Sequence, residues 1–173
     1  MEGNNFVSSD STEKLRPYNS SFECGLRSLF ILSATHINGM NLQRIVYYDY
    51  ATTHLNDVFP KEDKSLHPST PFRFSEWITR KDILRLGLSD MIKKGLVDVK
   101  LASQGFLFQA NSLTRYFIGQ FQSDYSHQLN FHAQKVAKIF DSLSDIEIES
   151  LLTENIRGHG GDFMKKINSR LNK

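Results

Sequence analysis

Few residues of this chain are typed and spaced for chemistry. His127 and His132 are close in sequence but stand five residues apart, so on a helix they do not share the face that two metal ligands need. His132 also falls on an apolar stripe, where a histidine serves the core. Cys24 is the single cysteine. With only Arg27 near it, on a helix face beside Phe22, it reads as a packed and inert thiol. Arg157-Gly158-His159-Gly160-Gly161 has the glycines of a phosphate loop. It lacks the Gly-Lys-Ser/Thr ending and follows a helix rather than a strand, so it reads as a helix-breaking turn. No Ser-His-Asp set, carboxylate pair or metal-binding run can be assembled from neighbouring positions. The sequence thus offers no catalytic residue, no metal ligand and no cofactor-binding residue.

What remains is recognition. Lys81, Arg85 and Lys93 recur along one side of a helical segment, and Arg73, Arg80 and Lys94 lie close by. These six are the candidate contacts to DNA or to an acidic partner. Residues 73–100 hold seven basic and four acidic side chains. The alternative is an ordinary solvated helix face. Ser103-Gln104-Gly105, the tip of the hairpin that follows, carries no Lys or Arg to displace counterions from a nucleic acid. A net charge of +2 is weak for a protein that grips DNA alone, so the reading favours protein contact. In the loop Ser65 to Trp77, Phe72 and Trp77 sit beside prolines that hold the chain extended. There they serve either as core anchors or as docking anchors. With Tyr116 and Tyr125 they form the candidate protein interface.

The elements that must position these groups follow from periodicity. Residues 1–16 are polar and aperiodic and read as a flexible arm. A first helix, opened by Asn19-Ser20-Ser21, runs to about Thr35 with Phe22, Leu26, Leu29, Phe30 and Ser33 inward. Asn41 caps a second, whose inner stripe is Leu42, Ile45, Val46, Asp49 or Tyr50, and Thr53. After a loop over 56–74, Thr79 and Asp82 resemble a capping box. The third helix buries Ile83, Leu84, Gly87, Leu88, Met91 and Ile92 and stops at Gly95. Val97, Val99 and Leu101 alternate as a half-buried strand, and Phe106-Leu107-Phe108 returns. Helix, stop, strand, turn, strand is the second half of a winged helix-turn-helix. From Asn111 or Ser112 a helical stripe continues from Leu113 to Leu143 with a bend near Ser123, and Ser144 with Glu147 caps a further helix. Residues 141–156 carry five acidic side chains and no Lys or Arg, and 157–173 are basic. The expected fold is mainly α with a small β-hairpin: an arm at 1–16, a winged-helix core at 17–111 and a long helical extension at 112–173.

The totals fit this picture. At 173 residues, with 39% hydrophobic and 23% charged side chains and 13 Phe, the chain can bury an aromatic-rich core. One cysteine allows no internal disulfide or thiolate cluster. Leu29-Phe30-Ile31-Leu32 is too short to span a bilayer, and residues 1–15 lack the basic start and apolar centre of a signal peptide. A cytoplasmic protein without membrane contact is expected.

Several short pieces, in order, resemble a known family, the middle component (second type) of bacterial ABC-three-component systems. They are Tyr18-Asn19, Phe22-Glu23-Cys24-Gly25-Leu26-Arg27, Leu42-Gln43-Arg44, Asp49-Tyr50, Ser65-Leu66-His67-Pro68, Pro71-Phe72-Arg73 with Glu76, Arg80-Lys81, Gly87-Leu88 and Lys94-Gly95-Leu96. Phe106 to Asn111, Tyr125, Leu129 and Gly161-Asp162-Phe163 continue the series, which spans residues 17–165. The resemblance implies a non-catalytic adaptor between an SMC-like ABC ATPase and an effector subunit, often a nuclease. It implies DNA contact through the complex and a role in anti-phage or anti-plasmid defence. Lamassu systems are similar in organisation. The competing expectation is a stand-alone winged-helix transcriptional regulator that dimerises through the long helix. A small enzyme is a third.

Overall fold

Side-chain caps set where the helices begin. In a computed structural model that describes residues 19–59, 64–68, 73–103 and 105–156 (residues 73–78 and 156 in backbone only), the first helix, α1, is Ser21–Ala34. Its N-cap Ser20 accepts from the Glu23 amide. Helix α2, Leu42–Thr53, is capped by Asn41, which accepts from the Arg44 amide, and a single turn, α3, follows at Leu55–Val58. Each side-chain cap satisfies an amide that the helix itself leaves unbonded. Helix α4 spans Arg73–Lys93, so Thr79 and Asp82 lie inside it and do not cap it. It ends at Gly95, whose φ of 70° is the left-handed conformation that ends helices.

The hairpin pairs β1, Val97–Ala102, with β2, Gly105–Ala110, in antiparallel register, with Val99 opposite Phe108 and Leu101 opposite Phe106. Met40 adds a one-residue bridge on the far side of β2. The expected inward face of β1 is corrected. Val97 is buried, but Leu101 is 79% exposed and its neighbour Phe106 62% exposed, because the hairpin tip reaches beyond the helices. Phe22, expected on the inner stripe of α1, is 56% exposed.

The stripe from Leu113 to Leu143 divides into α5, Ser112–Ile118, and α6, Asp124–Phe140, with Ser123 as the N-cap of the second. Helix α7, Asp145–Ile156, opens on the Ser144–Glu147 box, in which each residue bonds the other's amide. Val136, Phe140, Ile148, Leu151 and Leu152 of α6 and α7 share one core with Leu29, Ile45, Val46, Leu84 and Leu88. The acidic stretch has a purpose here. Asp141 accepts from Thr35 Oγ1, the His36 amide and Tyr48 Oη at 2.7–2.8 Å. Arg44 reaches Asp145 at 2.6 Å and the carbonyls of Phe140 and Leu143 at 2.6 and 2.9 Å. One guanidinium therefore closes the C-terminus of α6, where the helix dipole favours a cation, and ties it to α7. Among the described residues no helix is long and apolar enough to cross a membrane. The arm at 1–16, Phe72 and the stretch 157–173 lie outside the described residues.

Helices α1 and α4 touch backbone to backbone at two glycines. A Cβ on Gly25 would stand 2.6 Å from the Gly87 carbonyl oxygen, and one on Gly87 would meet the Ser21 carbonyl and lie 2.5 Å from the Gly25 nitrogen. These neighbours are main chain and cannot swing aside. Gly87→Ala gains about 1 kcal/mol of helix propensity but forces the two helices apart, which costs about 3 kcal/mol, the upper end for overpacking. Urea melts are expected to show a net loss of about 2 kcal/mol; a variant at least as stable as the parent refutes the close contact.

Candidate functional site

The pieces scattered between Asn19 and Tyr125 converge on one buried carboxylate. Asp49, midway along α2, is fully buried, as are Arg27 (1% exposed) and Arg80 (2% exposed). Arg27 of α1 grips it in bidentate fashion, Nε to Oδ1 at 2.7 Å and Nη2 to Oδ2 at 3.0 Å. Arg80 of α4 donates from Nη1 to Oδ2 at 3.0 Å and to Thr53 Oγ1 at 2.9 Å. Planar guanidinium forks suit this geometry. A buried carboxylate needs such partners, since an unpaired one would be heavily destabilising.

A second ring of groups orients the first. Glu23 accepts from Arg27 Nη1 at 3.1 Å and from the Asn19 amide at 2.9 Å, and Asn19 Oδ1 accepts from Arg27 Nη2 at 3.0 Å. Asn19 has φ of 76°, a left-handed conformation that asparagine tolerates better than most residues. His67 lies in the segment 64–68. Its amide donates to the Thr53 carbonyl at 3.1 Å and its Nε2 is 3.1 Å from Tyr125 Oη. Tyr50 and His54 stack at 4.9 Å, with the Arg80 guanidinium 5.8 Å from the Tyr50 ring. The charges balance: Asp49 and Glu23 against Arg27 and Arg80.

Burial and these charges together hold Asp49, Arg27, His67, Cys24 and Tyr125 each in one state at neutral pH. Burial raises the Asp49 carboxyl, but Arg27 and then Arg80 outweigh it and hold it at about 2. Burial also works against the charge of Arg27, and Asp49 more than offsets that, so its affinity for its proton rises. Burial, reinforced by Arg27 and Arg80, lowers His67 to about 4 and keeps it neutral. Burial raises the Cys24 thiol to about 11, with Asp49 adding to it. The Tyr125 phenol rises to about 12 for the same first reason. Proton transfer near neutrality wants a group with a pKa near the working pH, and none of these has one. Among the described residues no group of three or more His, Cys, Asp or Glu side chains is placed to hold a metal.

The structure separates the sequence-derived candidates. Arg80 is corrected: it faces the core and is committed to Asp49, so it is not a surface contact. Lys81, Arg85, Lys93 and Lys94 are exposed on α4 and the turn after it. Asp82 stands 3.7 Å from Arg85, and Asp90 3.4 Å from Lys93, which dilutes their positive field. Arg73 and Trp77 fall on the first turns of α4, with side chains outside the described residues. Tyr116 of α5 is exposed, and Tyr125 is partly exposed while its hydroxyl meets His67. The Asp49 centre was not foreseen as a site. Its one signal was a carboxylate on an otherwise apolar helical stripe.

A model of the middle component 2 family of ABC-three-component systems matches residues 17–162. No curated protein and no solved structure matches the chain.

Two outcomes follow for stability. Asp49→Ala leaves two buried guanidinium groups without a counter-charge and is expected to cost about 3–5 kcal/mol in chemical denaturation. His67 has a folded pKa below its ordinary 6.5, at about 4. Its contribution is therefore complete above 6.5 and is lost as the pH falls from 6.5 through about 4, a loss of about 3 kcal/mol. Asp49 adds a second loss between 3.8 and about 2. Denaturation at about pH 7 and about pH 4.5 checks the first window, and His67→Gln should flatten it; an equal slope in parent and variant refutes the assignment.

Proposed function

The chain belongs to the middle component 2 family of ABC-three-component systems, and on that premise we propose that it is a non-catalytic adaptor. It joins an SMC-like ABC ATPase to an effector subunit, a nuclease in the reading we favour, and couples DNA sensing by the ATPase to that effector in anti-phage defence in the cytoplasm. The observation that carries this reading is the direction in which the chain turns its groups. The ionisable cluster points inward and is neutralised, with Asp49 between Arg27 and Arg80. The outer surface displays aromatic and aliphatic side chains at Phe22, Leu101, Phe106 and Tyr116. Large exposed apolar groups mark contact with other proteins.

The order of elements supports a winged-helix arrangement. Helix α1, the bridging residue Met40, helix α2, helix α4 and the hairpin follow one another, and Met40 pairs with the second strand of the hairpin at Phe108. In that arrangement α4 occupies the recognition position. Lys81, Arg85, Lys93 and Lys94 then serve contact with DNA or an acidic partner inside the complex, with Arg73 beside them. The carboxylates of Asp82 and Asp90 beside them favour DNA contact shared with the ATPase over reading by this chain alone. Phe72, Trp77, Tyr116 and Tyr125 are the aromatic anchors for partner subunits.

The test is affinity purification of the tagged chain from its host, with and without nuclease, and identification of what co-elutes. A near-stoichiometric ATPase that survives nuclease is the expected result; recovery of the chain with DNA and no ATPase makes it a stand-alone regulator instead. In the assembled complex, Lys81→Glu with Arg85→Glu should weaken DNA binding and reduce the salt slope by about 1–2. Unchanged DNA binding removes these two residues from the DNA contact.

A further inference from the structure

The two strands of the hairpin differ in what lies along their outer edges. Met40 and Phe108 exchange both backbone bonds, Met40 N–H to the Phe108 carbonyl at 2.9 Å and Phe108 N–H to the Met40 carbonyl at 2.8 Å. The N–H and C=O of Phe108 therefore point away from β1. In an antiparallel ladder, hydrogen-bonded and non-bonded pairs alternate, so Val99, opposite Phe108, makes no ladder bond to β2. Its N–H and C=O face the open edge, as do those of Val97 and Leu101 two residues either side. Among the described residues β1 has β2 as its only sheet neighbour.

Most proteins blunt such an edge with a charge, and Lys100 on its own reads as that device. Its setting says more. Val97, Val99 and Leu101 share one face of β1, and Asp98 and Lys100, both exposed, share the other. We infer that β1 pairs antiparallel with β1 of a second copy of this chain, about a two-fold axis at Val99. In this register Val99 faces the second copy's Val99 as a hydrogen-bonded pair, and Val97 and Leu101 face the second copy's Leu101 and Val97. All three outward positions are then used in both chains. On the polar face Asp98 lies opposite the second copy's Lys100, and Lys100 opposite its Asp98, so the charges complement each other across the axis. A shift by one residue would put each outward-bonding residue opposite one whose groups already bond β2. A shift of two would set Asp98 against itself or Lys100 against itself. On the apolar face, the exposed tip residues Leu101 and Phe106 of each copy come to lie beside the base of the other's hairpin.

The register is testable in the full chain. Val99→Cys places two thiols on Cα atoms about 5.5 Å apart, inside the disulfide range, and should give a covalent dimer under mild oxidation. Lys100→Cys faces Asp98 of the second copy and should not. Cys24 is buried and stays out of the reaction. By sedimentation, Lys100→Glu should weaken dimerisation roughly tenfold through two like-charge pairs. Asp98→Lys with Lys100→Glu should restore it, with thermal melts confirming that both variants fold. Two results overturn the proposal: a chain that stays monomeric at high concentration with the Val99→Cys variant unlinked, or a dimer that Lys100→Cys links as readily as Val99→Cys. Amides of Val97, Val99 and Leu101 that gain exchange protection only when a different subunit is added also overturn it and assign the edge to that subunit. None of these readouts depends on whether an ATPase co-purifies.

Discussion

The carboxylate of Asp49 sets the terms for the rest of the molecule. It stands at the centre of α2, out of reach of water, and is matched by guanidinium groups from α1 and α4. Desolvating one carboxylate and two arginines is costly, and their attraction does little more than offset it. What the arrangement adds is geometry. An apolar contact between helices tolerates a slide or a rotation, whereas a bidentate fork does not. The three helices therefore meet at one depth and one rotation, and the glycine crossing of Gly25 on Gly87 becomes possible because α1 and α4 are held there. The same centre fixes the segment 64–68 through His67, and α6 through Tyr125.

Around this centre the acidic residues of α6 and α7 perform a second alignment. Asp141 and Asp145 face the start of α2 and the turn before it, not the solvent, and receive Thr35, His36, Asn41, Arg44 and Tyr48. A stretch that looks in sequence like a charged surface is half consumed in joining the C-terminal helices to the core. Charge on the outside is correspondingly mild, with Arg85 and Lys93 shadowed by carboxylates one turn earlier. The surface that remains conspicuous is apolar.

Local chemistry was legible in the sequence. The caps at Ser20, Asn41, Asn111 and Ser144, the stop at Gly95 and the hairpin about residues 103–105 all depend on residues within a few positions of one another. Pairings across the chain were not. Arg27 and Asp49 are 22 residues apart and Asp49 and Arg80 are 31 apart, and no periodicity links them, so Arg80 read as a surface cation. Thr79 has the right type for a cap, but α4 begins six residues earlier, at Arg73. Phe22, Val99 and Leu101 fit an inward stripe by spacing alone; whether a neighbouring element covers the far end of a stripe is decided by the lengths of the other elements. The break between α5 and α6 sat at Ser123, where a bend was expected, because its side chain bonds the Ser126 amide and starts a new helix.

Asn111 gives the hairpin a mechanical character. Its side-chain nitrogen holds the Gly95 carbonyl at 3.1 Å and Asp98 Oδ1 at 2.8 Å, while its side-chain oxygen accepts from the Thr114 amide at 3.0 Å. One side chain thus bolts together the end of α4, the start of β1 and the first turn of α5. The hairpin is tied at its root and bare at its tip. A contact made at Leu101 or Phe106 falls on the far end of a hairpin whose base is joined to the turn after α4 and to the first turn of α5.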